Sequence, residues 1–146
     1  MDQARETDLT TTINLGALRS VSDQVASLLE KATQNEKDVI AALSDGSAML
    51  IALSGPSRGA RFLINAEKTS IGRAPDNDIF LDDVTVSRKH AEISREGKTY
   101  VVRDCGSLNG TYVDGKVQES AELKDGMELH IGKFRLHFFL GGKVRI

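Results

Sequence analysis

The chain has 146 residues, of which 40% are hydrophobic and 27% are charged, a composition typical of one globular domain with a short appendage. Its formal net charge of −2 leaves no basic footprint, so we expect no nucleic-acid partner. No apolar run is long enough to cross a bilayer, and the N-terminus lacks the basic-then-apolar order of a signal peptide, so we expect a cytoplasmic protein without a membrane partner.

Residues 1–16 are polar and include three consecutive threonines, Thr10, Thr11 and Thr12. So few apolar side chains cannot form a core, which predicts a disordered tail. The threonines have a function only if another part of the chain, or another protein, recognises them.

Residues 17–46 change character and predict a helical segment between the tail and the rest of the chain. Apolar residues recur at steps of three and four, which is the pattern of an amphipathic helix over 17–43. Thr33-Gln34-Asn35-Glu36 has the capping-box pattern and predicts a break into two helices, while Asp45-Gly46 predicts the helix end. The pattern suits a helix packed on its own domain, a short coiled coil or a helix that binds a partner.

Residues 47–142 are predicted to form one all-β domain, because the period of the apolar residues changes to that of strands. Asp114-Gly115 and Asp125-Gly126 are strong hairpin signals. Many short strands at regular spacing indicate a β-sandwich, and the lack of alternating helices and strands excludes a Rossmann-type or P-loop enzyme. The predicted strands lie near 48–53, 61–64, 69–72, 79–81, 90–94, 99–104, 111–113, 128–132 and 134–140.

Three polar, glycine-punctuated loops lie between these strands, at 71–78, 86–90 and 106–111. Loops on a rigid β scaffold commonly carry binding residues. These loops supply arginine, serine and asparagine side chains and exposed backbone N–H groups. Arginine offers a bidentate fork and serine a hydroxyl, so the set predicts a phosphate-binding site.

The sequence supports a catalytic site or a metal site less well than a phosphate-binding site. A Ser87/His90/Asp104 hydrolase lacks the nucleophile-elbow context and any oxyanion site. His130 and His137 lie in strand patterns, and the aspartates between 76 and 83 do not have EF-hand spacing, so we expect no metal and no cofactor. The single Cys105 cannot form an intrachain disulfide, and we interpret it as a half-buried residue at a strand end.

The motifs Gly72-Arg73, Ser87-Arg88-x-His90 and Ser107-x-Asn109-Gly110-Thr111 occur in this order within the all-β pattern. Over roughly residues 48–140 the chain resembles the forkhead-associated (FHA) domain, a phosphothreonine-binding module. The resemblance implies an FHA-type β-sandwich (SMAD/FHA-like) with no catalytic residues. It assigns phosphothreonine binding to Arg73, Ser87, Arg88, Ser107, Leu108 and Asn109, and structural support of the site to Gly72, His90 and Gly110.

The resemblance also implies a role for each of the main binding residues. Arg73 places its guanidinium on the phosphate, and Arg88 supplies a second contact. Ser87 donates its hydroxyl and its backbone N–H to phosphate oxygens. Asn109 holds the backbone of the bound peptide, while His90 braces the serine loop by hydrogen bonding.

Residues 78–92, 106–113 and 131–136 are similar to the small actinobacterial FHA regulators. Those proteins carry a threonine pair in an N-terminal tail that a Ser/Thr protein kinase phosphorylates. The unmodified form inhibits 2-oxoglutarate dehydrogenase and adjusts glutamate metabolism, and the phosphorylated tail binds its own FHA site and ends that inhibition. The resemblance places the phosphorylated pair at Thr10 and Thr11, with Thr12 as a third candidate. The alternative is an adaptor that binds phosphothreonine proteins in trans.

Overall fold

The structure is a computed structural model that describes residues 25–143. Residues 25–30 form helix α1, and Gln34–Ala41 form helix α2. Eleven strands follow in this part of the chain: β1 (Ala48–Ile51), β2 (Arg61–Ile64), β3 (Lys68–Gly72), β4 (Ile79–Phe80), β5 (Ala91–Glu96), β6 (Thr99–Asp104), β7 (Thr111–Val113), β8 (Lys116–Val117), β9 (Ser120–Leu123), β10 (Glu128–Ile131) and β11 (Phe134–Leu140).

The strands form two sheets that pack face to face. One sheet has the order β9-β6-β5-β3-β4 and the other the order β2-β1-β11-β10-β7-β8. Neighbouring strands are antiparallel except for the short β3–β4 pair. Tyr100 and Phe138, one from each sheet, meet edge to face in the core with ring centroids 5.7 Å apart. The predicted all-β sandwich is confirmed.

The nine predicted strands lie where the sequence predicted them, within two residues at each end. The Asp114-Gly115 turn has the two positive φ angles, 49° and 82°, that its hairpin type requires. Strands β8 and β9 were not predicted. They have two and four residues, half of them polar, and their pairing with β7 and β6 identifies them.

The helices pack on the outer face of the six-stranded sheet, which selects the first of the three interpretations for the described helices. Thr33 forms the predicted capping box with Glu36, so the helical segment does break in two. The predicted helix end at Asp45-Gly46 is wrong, because α2 ends at Ala41. A second apolar core lies beneath the helices and includes Leu28, Ala32, Ile40, Leu43, Met49, Ile51, Leu53 and Phe139.

The predicted tail, residues 1–16, and the start of the predicted helical segment lie outside the described residues. Within 25–143, neither helix has the length and apolar composition of a membrane span.

Candidate functional site

Three loops meet at one end of the sandwich, which we call the site end. They are the β3–β4 loop (73–78), the β4–β5 loop (81–90) and the β6–β7 loop (105–110). The Arg73 N–H donates to the Ser87 carbonyl at 2.9 Å, and the Leu108 N–H donates to the Ser87 hydroxyl oxygen at 3.0 Å. Residues 35 positions apart in the sequence therefore share one surface.

Gly72 allows the first two loops to approach each other closely. A Cβ at this position would stand 2.1 Å from the Arg88 carbonyl oxygen, so no other residue fits without moving the backbone. The Asn77 side-chain amide fills the space beside it and donates to the carbonyls of Ala74 and Arg88, both at 2.8 Å. The loop path is thus fixed before any ligand arrives.

Arg73 presents its guanidinium to the site in a fixed orientation. Its Nε donates to the Val86 carbonyl at 3.1 Å, and the side chain is half-buried. Among residues 25–143, neither terminal NH2 group makes a hydrogen bond or an ion pair. Since Nε is already engaged, the two terminal groups form a fork suited to two oxygens of one phosphate. The Arg88 side chain is exposed nearby.

The Ser87 hydroxyl and the Ser87 amide have different partners. The hydroxyl oxygen accepts the Leu108 N–H, so its own proton is left to donate elsewhere. The amide N–H donates to His90 Nδ1 at 3.1 Å. In this structure the backbone N–H that the resemblance assigned to a phosphate oxygen is therefore engaged with His90.

His90 is fully buried and connects two of the loops. Its Nδ1 accepts the Ser87 N–H, so Nε2 carries the proton and donates to the Gly110 carbonyl at 2.8 Å. Both nitrogens bond to backbone, and neither bonds to the Ser87 hydroxyl or to Asp104. The Ser87/His90/Asp104 residues therefore do not form a hydrolytic triad.

Asp104 organises the β6–β7 loop from the end of strand β6. One carboxylate oxygen accepts the N–H groups of Gly106 and Ser107 at 2.9 and 3.0 Å, and the other accepts the hydroxyls of Ser107 and Thr111. Desolvation alone would raise the pKa of Asp104, but the bonds from Ser107, Thr111 and Gly106 outweigh it and hold that pKa below its usual value. Sequence reasoning did not assign Asp104 this role, although an aspartate followed by Gly-Ser is a known turn signal.

Ser107 faces inward rather than toward a ligand. Its hydroxyl donates to Asp104 and accepts the Gly110 N–H at 3.0 Å, so both functions of the hydroxyl are used. Gly110 has a φ of 85°, which a residue with a side chain adopts only with strain. The structure thus places Ser107 and Gly110 in the support of the loop.

Leu108 and Asn109 lie at the tip of the same loop. The Leu108 side chain is 90% exposed. Asn109 donates one side-chain N–H to the Thr85 carbonyl at 3.0 Å. Its other N–H and its carbonyl oxygen have no partner among the residues that the structure describes, which leaves one donor and one acceptor for a peptide backbone.

Thr85 is held in turn by the β10–β11 turn. Its hydroxyl accepts the Lys133 N–H at 2.9 Å and donates to Asp83, while Lys133 Nζ lies 3.0 Å from the Asp83 carboxylate. Hydrogen bonds from the Thr85 hydroxyl, the Thr85 amide and Lys133 lower the pKa of Asp83 to about 2. This support for Asn109 is formed by residues far apart in sequence, and no local pattern predicted it.

Cys105 and the acidic residues add no further chemistry to the site. Cys105 is exposed, contrary to the half-buried expectation. Partial desolvation, together with Glu92 and Asp104, raises the pKa of its thiol and keeps it protonated. Within residues 25–143 no three histidine, cysteine or carboxylate side chains are grouped as metal ligands.

Comparison with known proteins identifies the family. The FHA domain model matches residues 69–132. The oxoglutarate dehydrogenase inhibitor of Corynebacterium jeikeium is 56% identical over 69% of this chain and 70% of that protein. This chain belongs to the FHA domain family. The glycogen accumulation regulator GarA of Mycolicibacterium smegmatis is 48% identical to this FHA protein over 89% of this chain and 91% of GarA.

Solved FHA structures agree with this assignment. An FHA domain from a structural and functional analysis of phosphothreonine-dependent FHA interactions has a TM-score of 0.59 and 29% identity, covering 64% of this chain and 96% of that domain. Mycobacterium tuberculosis EmbR in complex with a low-affinity phosphopeptide has a TM-score of 0.61 and 28% identity, covering 88% of this chain and 32% of EmbR. This FHA protein is thus a phosphothreonine-binding regulator and not an enzyme.

Proposed function

We propose that this FHA protein inhibits a metabolic enzyme of the 2-oxoglutarate dehydrogenase type and that phosphorylation of its own N-terminal tail ends the inhibition. A Ser/Thr protein kinase modifies Thr10, Thr11 or Thr12, and the phosphothreonine then occupies the site of the same chain. The names of the relatives, an oxoglutarate dehydrogenase inhibitor and GarA, support the metabolic target.

The observation that carries the proposal is the set of unused donors at the site end. The two terminal NH2 groups of Arg73 and the hydroxyl proton of Ser87 have no acceptor among residues 25–143, and they lie on adjoining loops. Arg73 and Ser87 bind the phosphate, and the exposed Arg88 adds a second positive charge. Asn109 binds the peptide backbone, and Leu108 contacts the peptide at the loop tip.

The remaining site residues hold the loops in place and do not contact the ligand. Gly72 permits the close approach of the loops, and His90, Ser107 and Gly110 hold the serine and asparagine loops together. Each charge-assisted hydrogen bond contributes about 1.5–3 kcal/mol. Two or three of them at a partly exposed site correspond to a peptide Kd on the order of 10 µM.

The chain geometry allows the tail to reach its own site. Val25 Cγ2 lies 2.7 Å from where a Cβ on Gly126 would stand, at the end of the sandwich opposite the site end. The longest strand, β11, has seven residues, so the ends are about 24 Å apart at 3.4 Å per residue. The chain from Thr11 to Val25 can span up to about 50 Å, which is twice the required distance.

Tethering strengthens such intramolecular binding. A segment joined by a short linker has an effective concentration that approaches the millimolar range. Against an intrinsic Kd of about 10 µM, the closed form is favoured by about a hundredfold. The phosphorylated protein should therefore be compact, monomeric and unable to bind added phosphopeptide.

The decisive experiment compares unmodified and kinase-treated full-length protein by NMR and in an inhibition assay of 2-oxoglutarate dehydrogenase. We expect phosphorylation to shift the backbone signals of Arg73, Ser87 and Asn109 at every protein concentration and to abolish inhibition. The variant with Thr10, Thr11 and Thr12 all changed to alanine should stay inhibitory after kinase treatment. Unchanged signals at the three site residues would contradict self-binding.

Binding in trans is the second candidate. One similar solved structure, 28% identical with a TM-score of 0.57, is the FhaA FHA domain complexed with the intracellular domain of Rv3910, in which the partner is a separate protein. An adaptor of this kind uses the same pocket for a foreign phosphothreonine. It would show no concentration-independent shifts on tail phosphorylation, but it would bind added phosphopeptide equally well before and after kinase treatment.

A further inference from the structure

A row of side chains crosses the outer face of the six-stranded sheet beside the helices. Val117 of β8 pairs with Tyr112 of β7, Tyr112 with His130 of β10, and His130 with Arg135 of β11. Val117 is 62% exposed, and the tilted rings of Tyr112 and His130 have centroids 5.9 Å apart. We call these four residues the outer row. It offers an apolar and aromatic surface that ends at Arg135, whose guanidinium lies 3.6 Å from the Glu128 carboxylate and stays 59% exposed.

The outer row borders the functional site. A Cβ on Gly110 would stand 3.0 Å from Val117 Cγ2 and 3.5 Å from the Tyr112 ring, so the row begins where the β6–β7 loop ends. Helices α1 and α2 cover the outer faces of β1 and β11 at Met49, Ile51 and Phe139. Val117 lies outside this second core and keeps 62% of its surface exposed.

The start of the described chain points to what covers the row. Val25 lies beside Gly126, just before β10, and β10 runs from there to Ile131, which pairs with Thr111 at the site end. A chain that leaves Val25 for the phosphate site by the shortest path therefore crosses the outer faces of β10 and β7. Tyr112 and His130 of the outer row lie on those two faces.

We propose that residues 13–24 of this chain lie on the outer row when the phosphothreonine of the same chain occupies the FHA site. This inference rests on the proposed function. The segment has the matching chemistry, because its apolar residues can cover Val117 and the two rings. Its apolar residues are Ile13, Leu15, Ala17, Leu18 and Val21.

The length of the segment also fits. Strand β10 has four residues and measures about 14 Å. Twelve residues span about 18 Å as a helix and up to about 40 Å when extended. Either conformation bridges the outer row and leaves enough chain to place Thr10 or Thr11 between Arg73 and Asn109.

The test uses full-length protein with and without kinase treatment, and a labelled phosphothreonine peptide as the probe. Val117→Asp places a charge on the proposed contact and should let the phosphorylated chain bind the probe about tenfold more tightly than the phosphorylated wild type does, since burying a valine contributes at least this factor. Leu63→Asp is the matched control, because Leu63 is 56% exposed on the other edge of the same sheet. All unphosphorylated proteins should bind the probe equally.

NMR of the wild type separates this inference from the proposed function. We expect phosphorylation to shift the Val117 methyl and His130 ring signals together with those of Arg73 and Ser87, independently of protein concentration. One outcome would overturn the inference and leave the proposed function standing. In that outcome the signals of Arg73 and Ser87 shift, those of Val117 and His130 do not, and phosphorylated Val117→Asp binds the labelled peptide with the affinity of the phosphorylated wild type. Shifts in the outer row that grow with concentration would place a second copy there and overturn it as well. No shift in either set would overturn both.

Discussion

The Leu108 N–H donates to the Ser87 hydroxyl oxygen at 3.0 Å, which ties Ser87 to the loop that carries Asn109. The bond occupies an acceptor position of the hydroxyl and leaves its proton for a ligand. The Ser87 oxygen thus sets the position of the neighbouring loop, and its proton stays available for the phosphate that we propose it binds. Arg73 is similarly divided, with Nε bound to the Val86 carbonyl and its two terminal NH2 groups without a partner among residues 25–143.

Removing either side chain should weaken ligand binding strongly. Arg73→Ala deletes the bidentate fork, and Ser87→Ala deletes the donated proton and also leaves the Leu108 N–H without its acceptor. Each should reduce the affinity of the unphosphorylated chain for a phosphothreonine peptide by about 1.5–3 kcal/mol, measured by titration calorimetry. Arg103→Ala, which breaks an ion pair with Glu96 away from the site, is the control and should bind normally. Normal affinity in both site variants would show that the phosphate binds elsewhere.

His90 should contribute more to stability than other histidines of the chain. His90→Leu removes a fully buried imidazole and leaves the part-buried Ser87 N–H and Gly110 carbonyl unpaired. Each unpaired group costs about 1–3 kcal/mol, so urea unfolding should show a loss of about 2–6 kcal/mol. The surviving folded fraction should also bind phosphopeptide more weakly, since the two loops are no longer connected. His130→Leu, at a half-buried position on the outer sheet face, should change stability far less, and equal losses in both variants would argue against the bridging role.

The sequence was sufficient for the features that depend on local patterns. Alternating apolar residues predicted the long strands, Asp114-Gly115 predicted its turn, and Thr33 with Glu36 predicted the helix break. It could not show that Asp83 and Lys133, fifty positions apart, jointly hold Thr85, because such a contact exists only after both sheets have formed.

The sequence also could not predict which backbone groups bond to the motif residues. The motif indicated that His90 braces the serine loop, but only the structure shows that His90 accepts a hydrogen bond from the Ser87 N–H. Likewise Ser107 belongs to the motif, yet its hydroxyl is turned inward to Asp104. Residue identity predicted which loops form the site, whereas hydrogen-bond geometry determines which atoms remain for the ligand.

The capping box at Thr33 should stabilise the helical segment without affecting the site. Thr33→Ala removes the acceptor for the Glu36 N–H, and helix caps of this type contribute about 1 kcal/mol. Hydrogen exchange should become faster along α2, and the urea midpoint should fall slightly. Phosphopeptide affinity of the unphosphorylated chain should not change, because α2 packs on the sheet away from the three loops. Thr99→Ala, on the far sheet, controls for the loss of a threonine hydroxyl. Exchange along α2 that is no faster in Thr33→Ala than in this control would contradict the cap.

Asp83 should make stability depend on pH in the acid range. Hydrogen bonds from Thr85 and Lys133 lower its pKa to about 2, whereas an aspartate in the unfolded chain has a pKa of about 3.9. Because the folded pKa is the lower one, the stabilisation is fully present above about pH 5 and is lost as the pH falls toward 2. The difference in unfolding free energy between wild type and Asp83→Asn should therefore be constant from pH 7 to about pH 5 and then shrink. Lys133→Met, which removes one of the two partners, should show a smaller loss over the same range, and a difference that stays constant down to pH 2 would contradict the assignment of Asp83 as the ionised anchor of Thr85.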